Sequence, residues 1–157
     1  MAKKMNIALH QPEIPHNTGA IGRTCLITGS GLHLIRPYGF FLDEKSLKRA
    51  GLDYWKKINV NEYDNFEDFE STAKKNNPRA RFFFIETHGG LNYTEVKYEP
   101  DDYLIFGSET TGLPPEILNS QIIRIPMVAE ERSLNLSVAV GIVLYEALRQ
   151  TGFTNLV

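Results

Sequence analysis

The chain has 157 residues, of which 42% are hydrophobic and 23% are charged, so it can bury one core and is neither disordered nor fibrous. Its net charge of −2 at pH 7 argues against strong non-specific binding of nucleic acid by the chain as a whole. No apolar run approaches the roughly 20 residues that span a bilayer, and Pro12 and Pro15 interrupt the only candidate signal peptide. We therefore expect one cytoplasmic domain over residues 1–157.

The first half of the chain alternates strand-like apolar runs with helix-like segments. Three short strands are expected, at residues 6–10, 32–35 and 58–60. Helices are expected at about residues 18–28, at 45–50, and between Asn65 and Asn77. Asn17 or Thr18 is the expected N-cap of the first helix, Gly29 its C-terminal cap, and Asn65 the N-cap of the third.

The second half adds three runs with the length and composition of buried strands, at residues 81–85, 103–106 and 122–125. A final helix is expected from Asn135 to about Gln150, with apolar residues on every side. Such a helix must be covered on every side, and part of that cover is expected from a second copy of the chain. The alternation of strands and helices predicts an α/β fold whose mainly parallel sheet has helices on both faces.

Small, polar or glycine-bearing segments follow each of these late strands, at residues 86–90, at 107–114, and at 126–128 together with 132–135. Ligands of open α/β sheets bind beyond the carboxyl ends of the strands, so the three segments together predict one pocket, although each alone is also ordinary turn material. Neither Gly-x-x-x-x-Gly-Lys nor a strand followed by Gly-x-Gly-x-x-Gly occurs. A nucleoside triphosphate or dinucleotide is therefore disfavoured, whereas an adenosine remains open.

Thiol and metal chemistry have few candidate residues. The only cysteine, Cys25, lies among apolar residues and is expected in the core rather than as a nucleophile. The four histidines lack paired ligand spacing, so no metal is expected. The basic residues between Lys45 and Lys57 are either a solvated helix face or a local patch that binds nucleic acid.

Three segments resemble the motifs of the SPOUT methyltransferases. They are Asn17-x-Gly19-x-x-x-Arg23, Phe106-Gly107-x-Glu109-x-x-Gly112-Leu113-Pro114, and Ile125-Pro126-Met127 followed by Arg132-Ser133-Leu134-Asn135. Residues 12–15 and 49–54 are similar to the small members that methylate the ribose of a cytidine or uridine at the wobble position of tRNA. The resemblance covers almost the entire chain.

This resemblance implies a trefoil knot at the C-terminal end, a homodimer, and S-adenosylmethionine held in the knot and released as S-adenosylhomocysteine. The implied partner is the anticodon stem-loop of tRNA, whose wobble nucleotide would receive the methyl group on its ribose 2′-hydroxyl. Methylation of ribosomal RNA stays open as an alternative, as does a knotted RNA-binding factor without catalysis. The presence of both Asn17 and Arg23 favours an active enzyme over such a factor.

The resemblance also assigns roles to individual residues. Catalysis falls to Arg23 and Asn17, and contact with tRNA to Tyr145. Arg132 is also expected to contact the RNA, because a guanidinium suits a phosphate group. The implied cofactor site consists of Ile85, Gly107, Glu109, Ile125, Ser133 and Asn135. Three of these residues have simpler interpretations: Glu109 as a plain loop carboxylate, Asn135 as a helix N-cap, and Tyr145 as an aromatic residue in a dimer core.

The role of Arg23 can be narrowed on physical grounds. Methyl transfer to a ribose requires that oxygen, carbon and sulfur be aligned and that the hydroxyl lose its proton. Neutralising a guanidinium at pH 7 costs about 7.5 kcal/mol, and catalytic bases work best with a pKa near the operating pH. We therefore expect Arg23 mainly to position the target ribose or its phosphate and to favour the developing alkoxide.

Overall fold

The computed structural model describes residues 3–43, 45 and 54–157. Within this part, one sheet contains the strands β1 (Asn6–His10), β2 (Gly31–Ile35), β3 (Val60–Tyr63), β4 (Phe82–Ile85), β5 (Leu91–Asn92), β6 (Tyr103–Phe106) and β7 (Ile122–Arg124). Their order across the sheet is β3-β2-β1-β6-β4-β7-β5, and all neighbouring strands are parallel. The α-helices of the described residues are α1 (Pro15–Thr28), α2 (Phe66–Asn76) and α3 (Leu136–Gln150).

The helices cover both faces of this sheet. On one face, Ile7 and Leu9 of β1 share a core with residues of α1 and α3. On the other face, Ala8 shares a core with Phe69 and Ala73 of α2. Alternate residues of a strand point to opposite faces, so a short, fully buried run such as Asn6–His10 supplies both cores. The predicted fold class is confirmed, whereas the C-terminal knot stays a prediction.

Most predicted strands lie where the sequence places them, with two exceptions. The strand expected at 58–60 lies at Val60–Tyr63, because a 3-10 turn at Trp55–Lys57 comes first and Ile58 packs toward α1. The two-residue strand Leu91–Asn92 was not predicted, since two residues carry no periodicity. The helix expected at 45–50 lies outside the described residues, apart from position 45.

The start of α1 differs from the prediction. Its N-cap is Ile14, which makes no side-chain capping bond, and Pro15 occupies the first turn. Proline suits that position because its fixed φ is helical and a missing N–H there breaks no helical hydrogen bond. Neither Asn17 nor Thr18 caps the helix, so that expectation was wrong. The predicted end is confirmed, with Gly29 at φ 68° as the C-cap.

The caps of the other two helices follow the prediction. Asn65 accepts a hydrogen bond from the Asp68 N–H at 2.8 Å, and Asn135 accepts one from the Ser137 N–H at 2.9 Å. Along α3, Val143 and Leu144 are fully buried, whereas Val138 is 49% exposed. The chain therefore covers only part of the apolar surface of α3. Among the described helices, none is long and apolar enough to cross a membrane.

Candidate functional site

The loops after β4, β6 and β7 converge with the N-terminus of α1 around a cavity of about 750 Å³. This size lies within the usual range for small-molecule sites, about 300–1,000 Å³. Eight of the ten predicted site residues line the cavity: Asn17, Ile85, Gly107, Glu109, Ile125, Arg132, Ser133 and Asn135. The structure thus brings together, at the carboxyl edge of the sheet, segments that are far apart in the sequence.

The loop after β6 turns back tightly on itself at Gly107. The Gly112 N–H donates to the Ser108 carbonyl at 3.0 Å, and Gly112 has a φ of +68°. A Cβ atom at Gly107 would overlap the backbone of Gly112 and Leu113. Only glycine therefore allows the two ends of this loop to lie in contact, and the loop presents main-chain atoms to the cavity.

Glu109 ties this loop to the start of α1. Its carboxylate accepts hydrogen bonds from the Glu13 N–H at 2.8 Å, the Ile14 N–H at 3.1 Å and the Asn17 side-chain amide at 3.3 Å. A negative charge at the N-terminus of a helix is also favoured by the helix dipole. Glu109 therefore braces two elements of the site and is more than a plain loop carboxylate.

Asn17 and Asn135 continue the same network to α3. The Asn135 side-chain amide donates to the Asn17 oxygen at 3.1 Å, while the Asn135 oxygen caps α3. Asn135 thus combines both roles considered from the sequence, as N-cap and as part of the site. Together with Glu109, these residues connect the three motif segments through side-chain hydrogen bonds.

Two further carboxylates at the site were not identified from the sequence. Glu13 accepts hydrogen bonds from the Thr110 hydroxyl at 2.8 Å and from the Thr110 N–H at 3.2 Å, and these bonds lower the pKa of Glu13. Glu86 lines the cavity and accepts from the Leu113 N–H at 3.2 Å. The available signal was their position, since each lies within four residues after a strand that ends at this edge.

The cavity is lined by both apolar and polar residues. The apolar ones are Ile14, Ile85, Phe106, Ile125, Met127, Leu134, Leu136 and Ala139. The polar ones include Thr87, Ser133 and the exposed Arg132. Apolar lining residues with a few polar groups among them are typical of small-molecule sites.

Arg23 and Tyr145 are not among the residues that line the cavity of their own chain. Arg23 is exposed on α1, and its guanidinium lies 5.7 Å from the centre of the Tyr54 ring. Tyr145 lies on α3 and is 44% exposed. The assignments of Arg23 to catalysis and of Tyr145 to tRNA binding stay predictions.

Cys25 is a core residue, as expected. Its side chain is fully buried, and burial raises the pKa of the thiol to about 12, so it has no thiolate character at neutral pH. Across residues 3–43, 45 and 54–157, no group of three or more histidine, cysteine, aspartate or glutamate residues is arranged to hold a metal ion.

Comparisons with known proteins identify the family of the chain. The model of the SpoU rRNA methylase family matches residues 4–145. The tRNA (cytidine(34)-2′-O)-methyltransferase of Escherichia coli K12 is 48% identical, with 95% of each chain covered. A solved structure that concerns the 2-OH methylation of C/U34 on tRNA is 43% identical, with a TM-score of 0.88. The match covers 95% of this chain and 97% of that one.

A solved structure with bound cofactor is also similar. The AdoMet-bound rRNA methyltransferase of Sinorhizobium meliloti is 27% identical, with a TM-score of 0.81. The match covers 94% of this chain but 57% of that one. Its similarity to this chain therefore extends over only part of that longer enzyme.

Proposed function

The chain belongs to the SpoU rRNA methylase family, and we propose that it transfers a methyl group from S-adenosylmethionine to the ribose 2′-hydroxyl of nucleotide 34 of tRNA, a cytidine or a modified uridine. The observation that carries this proposal is the single cavity at which residues of all three motif segments meet. tRNA is favoured over ribosomal RNA because the similarity to the tRNA enzyme extends over nearly the full length of both chains.

The cavity suits the cofactor chemically. The two ends of the loop that starts at Gly107 lie so close together that a Cβ atom at Gly107 would overlap the backbone of Gly112 and Leu113. Apolar lining residues such as Ile85 and Ile125 offer a surface for an adenine ring. Ser133 and Asn135 would hold polar groups of the cofactor or brace the loop around it. When bound, S-adenosylmethionine supplies the methyl group on a sulfonium that leaves as a neutral thioether.

The protein's contribution is mainly alignment, which can lower such a barrier by several kcal/mol, on the order of 7–11 at best. Arg23 would hold the ribose or its phosphate through the in-plane N–H donors of its guanidinium and would favour negative charge on the attacking oxygen. Arg132, exposed at the cavity, would contact a phosphate of the RNA. Asn17 would act by keeping α1 in place relative to Glu109 and Asn135.

A homodimer would explain the position of Arg23 and Tyr145. Val138 and Tyr145 on α3 and Ile27 on α1 are exposed in the single chain, and exposed apolar residues on packed helices favour association. A second copy would cover them and would give Arg23 and Tyr145 access to the neighbouring cavity. Pairing would also pool the basic residues of two weakly acidic chains for binding to the anticodon stem-loop in the cytoplasm.

Methylation of purified tRNA with isotope-labelled cofactor tests the proposal. The expected result is label in one 2′-O-methylated nucleoside that maps to nucleotide 34. A matched substrate with a 2′-deoxyribose at nucleotide 34 should take up no label. Label in ribosomal RNA but not in tRNA, or no transfer to either RNA, would refute the proposed function.

A further inference from the structure

Tyr54 lies directly beside the arginine to which catalysis is assigned, with its ring centre 5.7 Å from the Arg23 guanidinium carbon. We infer that Tyr54 is a positioning residue that holds the Arg23 guanidinium by its flat face and leaves the N–H donors at its edges available to RNA. This inference rests on the proposed function and adds a residue that acts through Arg23 rather than on the substrate.

The ring of Tyr54 is itself held in place. Its hydroxyl donates a hydrogen bond to the Gly19 carbonyl at 2.8 Å, four residues before Arg23 on the same helix. Just after Tyr54, Trp55 and Ile58 pack so closely on Gly22 that a Cβ there would lie 2.8 Å from each of them. The segment is therefore fixed against the turn of α1 that carries Arg23.

The way in which a guanidinium is held decides what it can still bind. Its N–H donors lie in its plane, and an ion pair with a carboxylate occupies them, whereas stacking on an aromatic ring uses the face of the group. Among the described residues, no carboxylate forms an ion pair with Arg23. Stacking thus restricts the rotamers of an exposed side chain without occupying its donors.

A second arginine shows the opposite arrangement. The Arg36 guanidinium lies 5.8 Å from the centre of the Tyr38 ring, but it also donates to Glu62 at 2.9 Å and to Asp64 at 3.2 Å. Carboxylates therefore bind two of the three guanidinium nitrogens of Arg36. The pair of Arg36 and Tyr38 lies at nearly the same distance, 5.8 Å, but carboxylates bind its guanidinium, so it serves as a control.

The test compares Tyr54→Leu, Tyr54→Phe and Tyr54→Trp by single-turnover methylation at saturating tRNA. Loss of the aromatic face in Tyr54→Leu should slow transfer about threefold to thirtyfold, as expected for a cation–π contact. Tyr54→Phe and Tyr54→Trp keep an aromatic face and should slow transfer by less than about twofold. Dissociation of S-adenosylmethionine and the melting temperature should not change in step with the rate.

Two further variants separate positioning from a structural role. Tyr38→Leu removes the control stack and should leave the transfer rate unchanged. In an Arg23→Gln background the cation is gone, so Tyr54→Leu should slow transfer by less than a further factor of about two.

Three results would overturn the inference while tRNA methylation by the wild type stands: a normal rate in Tyr54→Leu, an equal loss of rate in Tyr54→Phe and Tyr54→Leu, or an undiminished effect of Tyr54→Leu in the Arg23→Gln background. Absence of tRNA methylation by the wild-type protein would refute the proposed function instead.

Discussion

Glu109 joins the motif segments because its two carboxylate oxygens accept hydrogen bonds from two backbone N–H groups and one side-chain amide. A carboxylate suits this position, since it only accepts and every group that faces it donates. Asn17 then relays the contact to Asn135 because an amide can accept and donate at once. At the scale of single residues, side-chain hydrogen bonds between Asn17, Glu109 and Asn135 hold the three motif segments together.

Replacing the Glu109 carboxylate should therefore weaken the site even where the volume is kept. In Glu109→Gln the new NH₂ group faces other donors, so we expect a loss of about 1 kcal/mol in the free energy of unfolding. This is the low end of the range for an unsatisfied hydrogen-bonding group, because Glu109 is partly exposed. Weaker binding of S-adenosylmethionine should accompany it, measured by calorimetry. Glu130→Gln, on an exposed loop, is the matched control, and equal behaviour of the two variants would contradict the bracing role.

His33 predicts a dependence of stability on pH. It is buried between the Tyr63 hydroxyl at 2.9 Å and the Asn6 side-chain oxygen at 3.1 Å, and burial, with a smaller effect of the Lys4 charge, lowers its pKa from 6.5 to about 4. Because the unfolded chain binds the proton more readily, stability is complete above pH 6.5 and falls as the pH drops toward 4, by on the order of 3 kcal/mol.

Urea unfolding at several pH values measures this loss. The His33→Gln variant lacks the titrating ring and should lose less stability between pH 6.5 and 4 than the wild type. Burial also lowers the pKa of His10, so part of the dependence of stability on pH will remain in His33→Gln. Parallel curves for the wild type and His33→Gln would show that His33 does not contribute.

At the scale of elements, the hydrophobic pattern predicted correctly the strands whose position depends only on burial of their side chains. β1 and β6 lie where the sequence placed them because their short apolar runs are buried in full. The predicted N-cap of α1 was wrong because a capping preference takes account only of neighbouring residues. The Asn17 side chain instead forms hydrogen bonds with Glu109 and Asn135, which are distant in the sequence. The sequence therefore indicated which segments form the site, but the bonds between them required the three-dimensional structure.

The loop between β6 and Leu113 yields a prediction at the same scale. In Gly107→Ala the added methyl group overlaps the backbone of Gly112 and Leu113, so the loop must open. We expect S-adenosylmethionine to bind at least about tenfold more weakly, equivalent to about 1.4 kcal/mol. Ser108→Ala removes atoms from the same loop and should cost much less. Near-normal cofactor binding by Gly107→Ala would show that this loop does not shape the pocket.

At the scale of the whole molecule, one chain leaves its last helix incompletely covered. Val138 and Tyr145 on α3 remain 49% and 44% exposed, although their neighbours Val143 and Leu144 are fully buried. The sequence of α3 is apolar on every side, which indicates that the whole helix surface is buried. The pattern does not indicate whether the same chain or a second copy buries it. The threading that makes a knot leaves no such local pattern in a sequence, so the C-terminal knot stays a prediction.

A charge on this exposed face should prevent pairing of two chains. We expect the wild type to sediment as a dimer and Val138→Glu as a folded monomer with little methyl transfer, because a carboxylate is costly in a buried interface. Val128→Glu, on a more exposed loop residue, should leave the dimer intact. A wild-type monomer that methylates tRNA would exclude the proposed dimer.

The loops after β4, β6 and β7 are proposed to form one cofactor site with the start of α1. A crystal structure with bound S-adenosylhomocysteine would show whether they do. We expect the product to lie in the cavity lined by Gly107, Ile125 and Ser133, with its adenine against apolar side chains such as Ile85 and Ile125. Density for the product anywhere else on the protein, with this cavity empty, would contradict it.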